Sequence, residues 1–283
     1  MTAHSANATA ARENGLYVYC VARGDSNRLL GPIGLGGQVA YTVRSGDLRA
    51  VVHDCHAEPY QSQDPQVVQG WVVAHQNVVL AAAEAFGTVL PMAFDMIVRG
   101  GPGNGPGGGA IRALRDWLEE RRGRFTQLLD RLAGKAEYGV QVLWDREAIA
   151  AWLVQSEDEL HRMQNEAQDK PKGLAHLLGQ KLAKAIRAAM EKQADLFAQD
   201  FYARIRRCVE DVRVDKLKKV DGGKGHPAAI HCGGDPRQML LNLSCLMPEG
   251  SGDLGRVLDD IRQTKGISVR FTGPWPPYSF VGG

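Results

Sequence analysis

Hydrophobic positions along the 283-residue chain repeat with two periods, and the switches between them mark its elements. Leu16–Ala22 (LYVYCVA) is a β-rich run bounded by Gly15 and by Arg23-Gly24-Asp25, which predicts a strand. Asp25 to Gly37 contains five glycines or prolines and reads as a loop. Val39–Arg44 and Leu48–Asp54 are short β-type runs joined by Ser45-Gly46-Asp47, a hairpin turn. Asp64-Pro65 supplies a helix N-cap and a first-turn proline. Val67, Val68, Trp71, Val72, His75, Val78, Val79, Ala82 and Phe86 then follow at helical spacing, and Thr88–Met92 returns to strand character. The first part of the chain is therefore β-β-β-α-β, ending near Arg99.

Gly100–Gly109 holds seven Gly, two Pro and one Asn. It has no side chains to bury and a high ordering entropy, so it predicts a flexible loop or linker. Beyond it, Ile111, Leu114, Leu118, Phe125, Leu128, Leu129 and Leu132 mark one face of a long helix, with Gly134 as its terminator. Tyr138–Trp144 alternates as a strand. Asp145 to Val209 is helix-compatible, interrupted at Lys170-Pro171, and predicts two or three helices. Ala228–Cys232 is a short apolar run before the Gly233-Gly234-Asp235-Pro236 turn. Gln238–Met247 is a strand with one apolar face (Met239, Leu241, Leu243, Cys245, Met247) and a half-apolar second face, as a central, covered strand requires. Leu254–Ile261 predicts a helix and Ile267–Phe271 a last strand. The second half thus reads β-α-(helical insertion)-β-β-α-β, the order of a ferredoxin-like split βαβ. The expected fold is α+β in two domains, the C-terminal one ferredoxin-like. Expected boundaries are a disordered tail over 1–14, an α+β domain over 15–99, a linker over 100–109, the second domain over 110–272 and a tail over 273–283.

Composition narrows the class. Apolar residues are 44% of the chain, enough for a core, and no apolar run approaches the length of a membrane span. The start of the chain lacks the apolar segment of a signal peptide. Five cysteines, odd in number and with no Cys-x-x-Cys, fit free thiols in a reducing cytoplasm. Lys and Arg number 34 against 32 Asp and Glu, a net +2 that gives no reason to expect a polyanion as the main partner. That total hides an asymmetry. Lys170–Lys224 holds 14 Lys or Arg and 7 Asp or Glu, a local +7 that leaves −5 on the rest. Lys181, Lys184, Arg187 and Lys192 line one side of a helix there, as a solvated face or a charged contact face.

Catalytic and ligand motifs are weak. His53, Cys55 and His56 form one cluster and His226, His231 and Cys232 another, but neither has zinc-ligand spacing. Cys232 beside His231 lacks an identifiable base geometry, since strand neighbours point to opposite faces. Gly31–Gly37 and Gly222–Gly225 lack the residues of a phosphate loop. No catalytic residue, metal or cofactor is expected. The most unusual stretch is Thr272–Val281, with three prolines and three aromatics in ten residues. Its stiff path and large apolar side chains predict that Pro274, Trp275, Pro276, Pro277, Tyr278 and Phe280 dock on something, either the chain's own domains or a partner.

These motifs together resemble the gas vesicle accessory proteins of the GvpL/GvpF family, from Leu16 to Val281. The resemblance rests on Leu16–Val21, Ala50-Val-Val52, the His75 helix leading to Val89-Leu-Pro91, and Gly139–Asp145. It continues through Leu174–Leu178, Met239–Asn242 and, most specifically, Phe271-Thr-Gly-Pro-Trp-Pro-Pro-Tyr-Ser-Phe-Val281. The family usually carries Pro-x-Arg-Phe-Gly after the first helix; here the stretch is Pro91-Met-Ala-Phe-Asp95, with Ala93 and Asp95 in place of Arg and Gly. The resemblance implies a non-enzymatic factor for gas vesicle formation, a minor component associated with the vesicle in the cytoplasm. Its implied partners are the apolar shell protein of the GvpA type, which it would keep from aggregating during nucleation, and other accessory proteins. Two other readings compete: a small-molecule or metal-dependent enzyme on a ferredoxin-like fold, and a nucleic-acid binder using the basic helices.

Overall fold

A computed structural model describes residues 14–100, 105–168, 170–215 and 238–282. By contact density the chain divides into two compact units. The first takes in residues 14–135 and the C-terminal stretch 275–282; the second takes in residues 136–215 and 238–274.

The first unit is built on a six-stranded antiparallel sheet. Its strands are β1 (Asn14–Arg23), β2 (Leu29–Gly31), β3 (Ala40–Ser45), β4 (Leu48–His56), β5 (Val89–Pro91) and β6 (Ile97–Arg99). The order is β2-β3-β4-β1-β5, with β6 also pairing β1. One face of the sheet packs on helix α1 (Pro65–Phe86), whose inward stripe is His75, Val78, Val79 and Ala82. Asp64 caps that helix as its sequence predicts, its Oδ1 accepting from the Gln66 amide at 2.8 Å. The opposite face packs on α2 (Gly105–Glu120) and α3 (Arg122–Leu132), which bury Leu114, Leu118, Phe125, Leu129 and Leu132.

Two expectations change here. Residues 105–109, expected in a flexible loop, form the first turns of α2, where Pro106 is tolerated because first-turn amides lack helical partners. The single long helix expected from Ile111 is two helices, broken at Arg121 (φ −104°, ψ 7°). Both pack on β1 and so belong with the first unit, not with the domain expected to start at 110. Their apolar stripes carry no label of which sheet they cover. Ion pairs link α3 to the β3–β4 turn, to α2 and to the end of β1. Arg122 meets Asp47 and Glu119, and Arg23 meets Asp130 at 2.8 Å.

Strand β1 carries a bulge. Its register against β4 runs Tyr17↔His53 and Val18↔Val52, then Cys20↔Val51 and Ala22↔Arg49. The extra residue puts Tyr17, Tyr19, Cys20 and Ala22 all on the α1 side, where strict alternation would have placed Val21 beside the tyrosines.

The second unit has a four-stranded sheet, order β10-β7-β9-β8, from β7 (Lys135–Trp144), β8 (Asp211–Val214), β9 (Gln238–Pro248) and β10 (Ile267–Trp275). Helices α4 (Arg146–Ser156), α5 (Asp158–Gln168) and α6 (Lys172–Arg206) lie between β7 and β8 in the chain, and α7 (Asp253–Arg262) between β9 and β10. Their apolar stripes and one face of the sheet form a single core including Val140, Val142, Ile149, Leu153, Phe201, Leu243 and Leu258. β9 lies inside the sheet, and its second-face residues Ser244 and Leu246 are also buried. Strand β8 pairs antiparallel with β9 from Asp211↔Leu246 to Val214↔Leu243. It lies just beyond the segment read as helix-compatible. Four residues, half of them charged, are too few to give a period-two signal. The strand expected at Ala228–Cys232 lies outside the described residues.

Candidate functional site

The first unit holds a buried chain of phenols and imidazoles under α1. The β1 bulge directs Tyr17 and Tyr19 together toward His75 on α1 and His53 on β4. Tyr17 Oη lies 2.9 Å from His75 Nδ1, and Tyr19 Oη lies 2.8 Å from His53 Nδ1. Each phenol oxygen also accepts a backbone amide: Asp95 N at 3.0 Å for Tyr17 and Leu35 N at 2.9 Å for Tyr19. Assigning each phenol proton to the facing Nδ1 makes both imidazoles neutral with the proton on Nε2. His53 Nε2 donates onward to Tyr60 Oη at 2.9 Å, and the Tyr60 amide donates to Asp95 Oδ1 at 3.0 Å. The rings interlock, Tyr17 with Tyr19 at a centroid distance of 4.9 Å and Tyr60 with Trp71 at 5.3 Å.

Burial governs the electrostatics. It pushes both phenols, Tyr17 and Tyr19, well above the usual tyrosine range and Tyr60 up to about 12. It pushes His53 and His75 down to about 4; at His75 the Met92 carbonyl opposes the shift only in part. At neutral pH the phenols and imidazoles of the network are uncharged. Asp95 shows why the position matters. Its φ is 69°, in the left-handed region, which explains the glycine of the family pattern; an aspartate tolerates that conformation and its carboxylate ties down Tyr60. Asp95→Val is expected to cost about 2 kcal/mol, since a β-branched residue is strained there and the Tyr60 amide loses its acceptor. Urea unfolding of the two proteins measures the difference.

The C-terminal stretch closes this cluster. Tyr278 packs on the same core, its ring 6.3 Å from that of His75. Pro276, Pro277 and Phe280 are buried in the first unit, Trp275 and Tyr278 half-buried; Pro274 is exposed and counts with the second unit. The backbone departs from the stiff extended path expected. β10 runs on to Trp275, and α8 (Tyr278–Val281) makes one helical turn, because no proline follows Pro277 to forbid it. Tyr17, Tyr19, Tyr60, His75 and Asp95 were not singled out by sequence as site residues. The available signals were Tyr17 and Tyr19 two apart on one strand and a histidine inside an apolar helical stripe.

The other candidates fall elsewhere. Lys181, Lys184, Arg187 and Lys192 are all exposed on α6 of the second unit. His53 and Cys55 share a strand face, but His53 has both ring nitrogens bonded to tyrosines, and burial pushes the Cys55 thiol up to about 11. His56 is exposed. Among the described residues no three His, Cys, Asp or Glu converge on a metal position, and Cys20, Cys55, Cys208 and Cys245 are free thiols. His226, His231, Cys232 and Gly222–Gly225 lie outside the described residues. No described helix is long and apolar enough to cross a membrane.

This mixed α/β architecture is that of solved gas vesicle proteins. The chain superposes on the crystal structure of GvpF from an Anabaena species with a TM-score of 0.69, at 18% identity, covering 95% of this chain and 98% of that one. For GvpF from Microcystis aeruginosa the TM-score is 0.61 at 15% identity, with 95% and 99% covered. In sequence, it is 30% identical over 285 residues to gas vesicle protein L1 of Halobacterium salinarum, covering 98% of this chain and 94% of that protein. It is 31% identical to gas vesicle protein L2 of the same organism, covering 99% and 96%. Residues 15–282 match the model of the family described as gas vesicle synthesis protein GvpL/GvpF. The chain belongs to that family, and its role is in gas vesicle formation.

Proposed function

We propose that this protein captures the apolar shell protein, of the GvpA type, and limits its aggregation while vesicles nucleate, acting in the cytoplasm alongside other gas vesicle accessory proteins. A subunit that lines a gas space must present large apolar faces, and those aggregate unless covered. The observation that carries this reading is the free edge at β2. Among the described residues β2 pairs on one side only, with β3, and Leu29 on it is 74% exposed, with Val39 also exposed beside β3. An incoming strand could continue the sheet there. Helix α1 adjoins β2 and carries one charged residue, Glu84, in 22, so the surroundings suit an apolar partner. In the C-terminal stretch Pro276, Pro277 and Phe280 are buried, which favours the β2 edge over that stretch as the contact. We also read the second unit as a ferredoxin-like split βαβ with a helical insertion; its chain order and the sheet order β10-β7-β9-β8 support that reading.

Co-expression with the shell protein and an affinity pull-down test the proposal. The protein is expected to hold the shell protein in the soluble fraction, and Leu29→Lys with Val39→Lys to release it. Failure to retain the shell protein, with vesicles still forming after deletion of the chain, would refute the proposal. Undiminished retention by the double variant would remove the β2 edge from it.

A further inference from the structure

Helix α6 carries a surface that shell-protein capture at β2 does not use. From Lys170 to Met190 there is no aspartate or glutamate, but there are five cations: Lys170, Lys172, Lys181, Lys184 and Arg187. Residues 174, 177, 181, 184 and 188 recur at steps of three and four, so they share one stripe of the helix. All five are exposed, Leu177 at 62% and Leu174 at 47%. The opposite side of the helix, with Ile186, Met190, Phe197 and Phe201, is what packs into the unit's core. Among the described residues no carboxylate forms an ion pair with Lys181, Lys184 or Arg187. Farther along the same helix, Arg204 pairs with Asp200 and Asp260.

We propose that the N-terminal half of α6 is a docking face for an acidic amphipathic helix of a partner protein. The charge selects the partner: unpaired cations at helical spacing call for carboxylates at the same spacing on a facing helix. The leucines select its shape, because Leu174 and Leu177 are covered only by a partner with an apolar stripe beside its acids. Other occupants match one property and not the other. A nucleic acid satisfies the cations and leaves the leucines wet, and the stripe holds no aromatic residue on which a base could stack. An anionic bilayer is better met by a broad apolar face with Trp or Phe; here two leucines are followed by two lysines and an alanine. A second copy of α6 brings no excess of acid, since residues 191–207 hold three Asp or Glu and four Lys or Arg.

The test uses the full chain and a synthetic helical peptide of about 21 residues with leucines on one stripe and glutamates flanking it, about six turns long. Its controls are a peptide of the same composition with the stripe scrambled, phosphatidylglycerol vesicles and duplex DNA. Fluorescence anisotropy is expected to show saturable, salt-sensitive binding of the amphipathic peptide, weakened about tenfold by scrambling. Lys181→Glu with Lys184→Glu and Arg187→Glu should weaken it at least about tenfold, and Leu174→Ser with Leu177→Ser similarly, with unchanged helix content by circular dichroism. The charge-reversed variant should in turn bind a lysine version of the peptide, a rescue that no loss of folding can mimic. Equal binding of the scrambled peptide, tighter binding of vesicles or DNA, no binding at all, or no rescue would each overturn the proposal.

Discussion

Removing residues 275–283 is expected to destabilise the first unit severely, although the deleted stretch lies at the far end of the chain from the sheet it covers. Phe280 is 1% exposed, and Pro276 and Pro277 are buried with it. Truncating a buried phenylalanine to alanine typically costs about 3–5 kcal/mol, of a total domain stability of about 5–15 kcal/mol. Deleting the whole stretch also uncovers the ring face of His75, on which Tyr278 packs. Phe280→Ala alone is therefore expected to lower the melting temperature by about 10 °C. The truncated chain should lose cooperative unfolding of the first unit, measured by hydrogen exchange in β1 and α1. A stretch that served only as a free docking peptide would leave both observables unchanged, so a truncated chain with wild-type melting contradicts the assignment.

Stability should also fall steeply in mild acid. His53 and His75 are held at about 4 in the folded protein, against 6.5 for an exposed imidazole. Below pH 6.5 the unfolded chain takes up two protons that the folded chain refuses, so unfolding becomes easier as pH drops, and the effect saturates near pH 4 once the folded imidazoles titrate too. Each displacement corresponds to about 3 kcal/mol, and with both sites the slope approaches about 2.7 kcal/mol per pH unit. Urea unfolding from pH 8 to pH 4 should show a plateau above pH 7 and then this decline. Replacing both histidines with glutamine lowers stability overall by breaking the tyrosine bonds, but it should flatten the decline by about two protons. An unchanged slope in that variant would mean that other groups dominate the acid response.

The first α1 residues show how much was legible locally. Asp64 and Pro65 announce the start of the helix, and the stripe through His75, Val78, Val79 and Ala82 is the stripe that packs inward. β9 is equally plain, because one fully apolar face and a half-apolar second face are what a covered interior strand needs. β2, β6 and β8 were invisible for a shared reason. Each is three or four residues long and is held by its neighbours' free hydrogen bonds rather than by its own pattern. Among candidate site residues, the Pro/aromatic stretch and the α6 cations stood out as unusual composition. His53 looked like part of a metal cluster because spacing reveals a shared strand face and says nothing of the phenols already bonded to the ring.

By itself the sequence determined the class of the protein. Helical and alternating periods, free thiols and a specific C-terminal motif lead to a two-unit α+β protein of the gas vesicle family, because these are local properties or direct matches. The tertiary structure alone decided that α2, α3 and the last residues belong to the first unit, and that two tyrosines on β1 each engage a buried histidine. Those links join residues 58 positions apart for Tyr17 and His75 and 34 apart for Tyr19 and His53. They depend on a one-residue bulge and on sheet register, and a long-range partner leaves no trace in the hydrophobic pattern around either residue.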